Sequence, residues 1–189
     1  MVNHFPGGGL GGSASRLIAG GLGTPLAQFQ IEEKTGENNI LLISNFVERK
    51  LIEYFAKHPH ELKTIGRRKF EEFVAELFFG FGFEVELTKQ TRDGGKDIIA
   101  IKNDVVAVKY LIECKRPDIG NNVGIRPVRE LYAVKQDEGA TKAILATTAH
   151  FTKDAILFNE RHRWELELKA FDDLIAWIQV YLKGNALKL

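Results

Sequence analysis

The sequence predicts an α/β domain built on a mixed β-sheet with helices on both faces. Two observations carry that expectation. Strand-like apolar runs alternate with helical-period segments through the second half of the chain, and a strand–helix–strand crossover is right-handed with its two strands parallel. Upstream, two neighbouring apolar runs meet at Asn103-Asp104, whose turn chemistry predicts an antiparallel hairpin.

Residues 39–58 place Ile40, Ile43, Val47, Leu51 and Tyr54 at helical spacing, with Asn39 as a cap and Pro59 as the stop. Such a helix packs against the main domain or against a second copy. A second helix follows over about 67–80, its stripe formed by Phe70, Phe73, Val74, Leu77 and Phe78, and Gly80 and Gly82 end it. Three strands are expected at 83–88, 97–102 and 105–115. The third, rich in β-branched and aromatic residues, reads as central. A helix over 126–137 tolerates Pro127 in its first turn, and 140–147 is a short apolar strand. Thr152 caps the next helix, 164–168 forms a last strand, and 172–182 a closing helix. Tyr132, Trp164 and Trp177 fall at apolar-periodic positions and are expected in the core.

Composition narrows the function classes. The chain has 189 residues with 26 Lys+Arg against 25 Asp+Glu, so any nucleic-acid surface must be local. One cysteine, Cys114, excludes an internal disulfide framework and a multi-cysteine zinc site. No apolar run approaches the ~18 residues of a membrane span. Residues 1–30 hold eight of the 18 glycines without a preceding strand or a following Gly-Lys-Ser/Thr, so they read as a Gly-rich flexible tail rather than a phosphate loop. A secretory signal is not expected either, and with a lone thiol this points to the cytoplasm. The domain reading is thus a tail over 1–30, a helical extension over 31–61 and the main domain over 62–189.

Chemistry concentrates in Asp93-Gly94-Gly95-Lys96-Asp97 and Glu113-Cys114-Lys115-Arg116. Alternation puts Glu113 and Lys115 on one strand face and Cys114 on the other, as a buried thiol. Ionised groups at the end of an apolar strand are costly without partners. Hairpin register decides whether Asp97 joins them. A two-residue connection pairs Asp97 with Tyr110, on the wrong side. A three-residue connection or a bulge sets it opposite Leu111, one diagonal step of roughly 7–8 Å from Glu113. We therefore expect an odd connection or a bulge. Two carboxylates so placed repel, and a hard divalent cation relieves them. Magnesium is expected, with manganese as the alternative. It keeps waters that leave room for a phosphate oxygen and an attacking water. Lys115 then stabilises charge on a phosphodiester or helps to deprotonate that water. Glu71, on the apolar-facing flank of the second helix, adds a carboxylate, whereas Glu72 is expected to be solvated. Arg67-Arg68-Lys69, Arg116, Arg126 and Arg129 form a candidate phosphate-facing surface.

These segments resemble the PD-(D/E)xK nuclease superfamily and, within it, the Mrr-type restriction endonuclease catalytic domain. The resemblance spans about residues 62–182. It also takes in the run from Arg68 to Leu77, Gly82-Phe83-Glu84-Val85, the run from Val128 to Tyr132, and 140–148 leading to Phe151-Thr152. It implies a restriction-endonuclease-like fold and a metal-dependent DNA endonuclease acting in restriction against foreign, including modified, DNA. Asp97 and Glu113 would be metal ligands, the Cys114 carbonyl a third, Lys115 the water-activating lysine and Glu71 the added helix glutamate. Lys96, Arg116, Arg126, Arg129 and Thr148 are the expected DNA contacts. Lys96 stands where the superfamily's name has proline, and many Mrr-type members carry Gln at the position of Glu113. Cutting both strands needs two sites, hence a homodimer or a partner subunit. A structure-selective nuclease such as a Holliday-junction resolvase, or a non-catalytic DNA-binding module on the same fold, are the rival readings.

Overall fold

The computed structural model describes residues 49–88 and 95–186. The tail over 1–30, most of the extension, the first part of the 39–58 helix and Asp93-Gly94 lie outside the described residues. Helix α1 (Arg49–Lys57) leads through a 3-10 turn (Pro59–Lys63) into α2 (Arg67–Gly80). Strands β1 (Glu84–Leu87), β2 (Ile98–Asn103) and β3 (Ala107–Lys115) follow, then α3 (Ile125–Asp137), β4 (Lys142–Thr147), α4 (Lys153–Arg161), β5 (Leu166–Lys169) and α5 (Phe171–Ala186).

The five strands lie in the order of the chain. β1, β2 and β3 are antiparallel neighbours, and β3, β4 and β5 are parallel. The mixed sheet carries helices on both faces, as the sequence predicts. On one face, Leu111, Ala143, Leu145 and Leu166 pack with Val128 and Leu131 of α3 and Ala155 of α4. Alternation sends the paired residues Ile98, Ile112 and Ile144 to the other face. There α2 packs on β1, β2 and β3, and α5 packs on β4 and β5 and against α1 and α2. Phe55 of α1 meets Phe73 of α2 edge-on at 5.5 Å, so the described part of α1 docks on the domain itself.

Thr152 caps α4, its side chain accepting the Ala155 amide. Helices α2 and α5 approach closely at Gly80, where an added Cβ would stand 2.2 Å from the Tyr181 ring. The Tyr181 hydroxyl also donates to Glu76 at 2.7 Å. Gly80→Ala must push that ring aside, so we expect a destabilisation of about 1–3 kcal/mol, read as a lower denaturant midpoint at unchanged slope.

Two sequence expectations are corrected. β3 begins at Ala107, not Val105. Asn103 pairs with Ala107, which leaves Asp104, Val105 and Val106 as a three-residue loop with the two valines 96% and 70% exposed. The connection is odd, as expected, but the register is one pair further along. Ile98 faces Ile112 as the last pair of the ladder, and the Asp97 amide turns to the Ile112 carbonyl at 2.9 Å, so Asp97 sits just beyond the ladder with its carboxylate on the Cys114 amide. The second correction is Trp164, which is 80% exposed and belongs to neither a strand nor the core. The turn after α4 closes through the Glu165 amide to the His162 carbonyl at 2.8 Å, which delays β5 to Leu166. Trp177 lies against Phe78 and Phe81, and Tyr132 packs on the α3/α4 core, as expected.

Candidate active site

The hairpin register and the end of β3 bring Asp97, Glu113 and Lys115 together. The Asp97 backbone is clamped on both sides. Its amide donates to the Ile112 carbonyl at 2.9 Å, and its carbonyl accepts the Thr88 amide at 2.9 Å. One carboxylate oxygen, Oδ2, accepts the Cys114 amide at 2.7 Å. Cys114 thereby orients the aspartate through its N–H, a contact not foreseen from the sequence. Its thiol is buried, and burial pushes its pKa well up, reinforced by the charges of Asp97, Glu71 and Glu113. A nucleophilic cysteine is therefore ruled out by its surroundings.

Glu113 is only 5% exposed. Its Oε1 pairs with the Lys115 ammonium, while Oε2 is buried with no hydrogen-bond partner. The Lys115 side chain is 42% exposed, so its amine faces both the carboxylate and solvent. Glu71, on the first turns of α2, is buried, and Arg68 donates to its Oε2 at 3.0 Å. The same Arg68 nitrogen donates to the Thr88 carbonyl at 3.1 Å, which ties the helix to the end of β1 beside Asp97. Thr88 is a positioning group that the sequence did not single out, and Arg68, expected on a phosphate-facing surface, holds Glu71 instead. The three-residue spacing of Arg68 and Glu71 on one helix face was the available signal. Glu72 is not the solvated residue expected. Its side chain is 14% exposed and paired with Lys69 at 3.1 Å and Arg68 at 3.8 Å.

All three site carboxyls are held above the usual carboxylate range. For Asp97 the cause is burial, opposed by the Cys114 amide and by the charges of Lys115, Arg68 and Arg67. For Glu113 it is burial and then the charge of Asp97, opposed by Lys115, with Glu71 adding to the rise. For Glu71 it is burial, opposed by the Arg68 bond, with Asp97 adding to the rise. Burial is thus the leading cause in all three, and Glu113 and Glu71 each also feel the charge of Asp97.

Among the described residues, no group of three or more His, Cys, Asp or Glu side chains is already gathered as a metal cluster. The donor chemistry nonetheless fits a divalent cation. Oxygen ligands, mutual repulsion and the buried unpartnered Glu113 Oε2 are what a hard cation with retained waters satisfies.

The expected DNA contacts scatter. Lys96 is bound by Glu138, which also takes Lys109 at 3.0 Å, and Thr148 is buried. Neither presents a free surface, because the α3 carboxylate satisfies the first and the β4 strand end encloses the second. Arg116 follows Lys115 directly. It donates to the Lys63 carbonyl at 3.3 Å and leaves its Nε buried without a partner. Arg126 is exposed and paired with Glu130 at 2.8 Å, and Arg129 lies over the Phe158 ring at 5.6 Å.

Sheet, flanking helices and the acid–acid–lysine end of the hairpin together define a restriction-endonuclease-like nuclease domain. The comparison with known families agrees. The model of the restriction endonuclease family Mrr_cat matches residues 62–178, and the chain belongs to that family. It is 26% identical over 174 residues to the uncharacterized protein y4cE of Sinorhizobium fredii, covering 90% of this chain and 44% of that protein. The chain therefore spans less than half the length of the curated relative it matches. Among solved structures it is similar to the DNA modification-dependent restriction endonuclease AspBHI (17% identity, TM-score 0.49, 85% of this chain and 44% of that one). It is also similar to the restriction endonuclease FokI (16% identity, TM-score 0.49, 76% and 32%). No helix among the described residues is long and apolar enough to cross a membrane.

Proposed function

We propose that this chain is a divalent-metal-dependent DNA endonuclease that hydrolyses phosphodiester bonds in restriction of foreign, including modified, DNA. The observation that carries this reading is the convergence of Asp97, Glu113 and Lys115 at the end of β3, with the Asp97 carboxylate on the Cys114 amide and Glu113 paired with Lys115. Asp97 and Glu113 would hold magnesium or manganese, with the Cys114 carbonyl and Glu71 as the further oxygens. When bound, the cation supplies Lewis-acid stabilisation of phosphodiester charge and makes water more acidic.

The chain's own residues do the rest. The Cys114 amide fixes Asp97, and Arg68 fixes Glu71, so neither acid must be ordered when substrate arrives. Lys115 reaches solvent from the strand end. It brings a positive charge to the scissile phosphate, where charge develops during in-line attack. The exposed Arg126 and Arg129 supply phosphate contacts, together with Arg116, which follows Lys115 directly. The nuclease unit is residues 62–189. Cutting both strands takes a homodimer or a partner subunit, and a DNA substrate puts the site of action in the cytoplasm.

Supercoiled plasmid, methylated and unmethylated, tests this alongside a four-way junction. We expect nicking with magnesium or manganese and none in excess chelator. Junction cleavage without plasmid nicking would move the reading to a resolvase. DNA binding that never leads to cleavage would leave only a binding module.

A further inference from the structure

The turn after α4 is the feature that the catalytic reading does not use. Trp164 is 80% exposed there, and the Arg163 guanidinium stands 5.3 Å from its ring centroid. Tryptophan is among the residues with most to lose in water, so such exposure on a pinned turn is unusual. The pinning is double: the amides of Glu165 and Leu166 both donate to the His162 carbonyl, at 2.8 and 2.9 Å. The platform is therefore held open by backbone bonds rather than by a mobile loop. Its surroundings are cationic. Arg129 of α3 and Arg161 of α4 both lie 5.6 Å from the Phe158 ring centroid, and all three arginines are exposed. Glu165, within the turn, is bound by Lys135 and Gln136, and the exposed Glu160 precedes Arg161 at the end of α4.

We propose that Arg163 and Trp164 form a stacking platform for unpaired bases of single-stranded DNA, approached along Arg129 and Arg161. An indole face with an adjacent guanidinium accepts any base, and the arginines follow the backbone phosphates. Lys115 is level with Thr147 and Leu166 with Ala143, so β5 starts four residue steps, about 13 Å, back along the strands from Lys115, and the turn that carries Trp164 precedes that start. The inference rests on DNA as substrate but not on cleavage.

The experiment is intrinsic fluorescence and anisotropy on the full chain in chelator, with oligothymidylate of about twelve nucleotides and a duplex of equal length. The only other tryptophan, Trp177, packs against Phe78, so a change on binding reports Trp164. We expect quenching by the single strand. Trp164→Ala should weaken binding about tenfold, Trp164→Phe should keep most of it, and melting temperatures should not change. Equal binding of duplex and single strand, or Trp164→Ala binding as the wild type does, overturns the platform and leaves a protein-docking hot spot. Wild-type nicking with no quenching overturns the platform alone. Quenching without nicking keeps the platform and sinks the nuclease reading.

Discussion

Lys115→Ala is expected to slow magnesium-dependent plasmid nicking by about 10²–10⁴-fold while leaving DNA affinity near that of the wild type. The amine is partly exposed and its loss leaves the packing of the sheet intact, but the buried Glu113 loses the partner of its Oε1, so the thermal midpoint is read alongside the rate. Its charge matters chiefly when the phosphodiester gains charge, which places the loss in turnover rather than in binding. Lys115→Arg should restore little. A guanidinium keeps the charge but has a different shape and gives up no proton. Asp97→Asn should lose at least as much by removing a ligand charge, and its amide oxygen can still accept the Cys114 N–H. Single-turnover nicking measures both variants. Wild-type rates in either would remove this site from the chemistry.

Much of this architecture was legible because local signals and global pattern agreed. α2 runs from Arg67 to Gly80 as its apolar stripe predicts, and Thr152 caps α4. The hairpin was legible only in parity. Side-chain alternation requires an odd connection if Asp97 and Glu113 are to share a face. Nothing in Asn103-Asp104-Val105-Val106 says which odd register wins, and two β-branched residues argued for strand where the structure has loop. Trp164 misled for a related reason. Its apolar spacing with Leu166 and Leu168 looks like strand, but the His162–Glu165 turn decides where β5 can start. Surface contacts were the least legible. Whether Lys96 or Thr148 is free depends on Glu138 and on enclosure at the β4 end, which are tertiary facts. The same holds for Arg68: its spacing to Glu71 is local, but its bond to the Thr88 carbonyl, twenty residues away, is not.

The site acids also make stability depend on pH and cation in a direction that reverses on loading. Asp97, Glu113 and Glu71 hold their protons more tightly folded than unfolded, chiefly through burial. For such groups the contribution to stability is complete below the ordinary carboxylate pKa and is lost as pH rises through the raised folded values. Glu138, Glu165 and Glu167 act in the opposite sense, because lysine bonds lower them despite the burial of Glu138 and Glu167. The whole-protein curve therefore mixes both signs, and a difference between variants isolates the site. In chelator, Asp97→Asn should melt above the wild type at alkaline pH, and the gap should close as pH falls through the raised folded values toward the ordinary carboxylate pKa. Adding magnesium should reverse the order. A cation that binds the folded wild type at about 100 times its Kd stabilises it by about 2.7 kcal/mol, and the asparagine variant gains far less. Scanning calorimetry across pH, with and without magnesium, reads both arms. A variant that melts below the wild type at every pH in chelator would mean that burying the Asp97 charge costs the fold nothing. The case for a cation between them would then lose its physical basis, because the strain that a cation relieves would be absent.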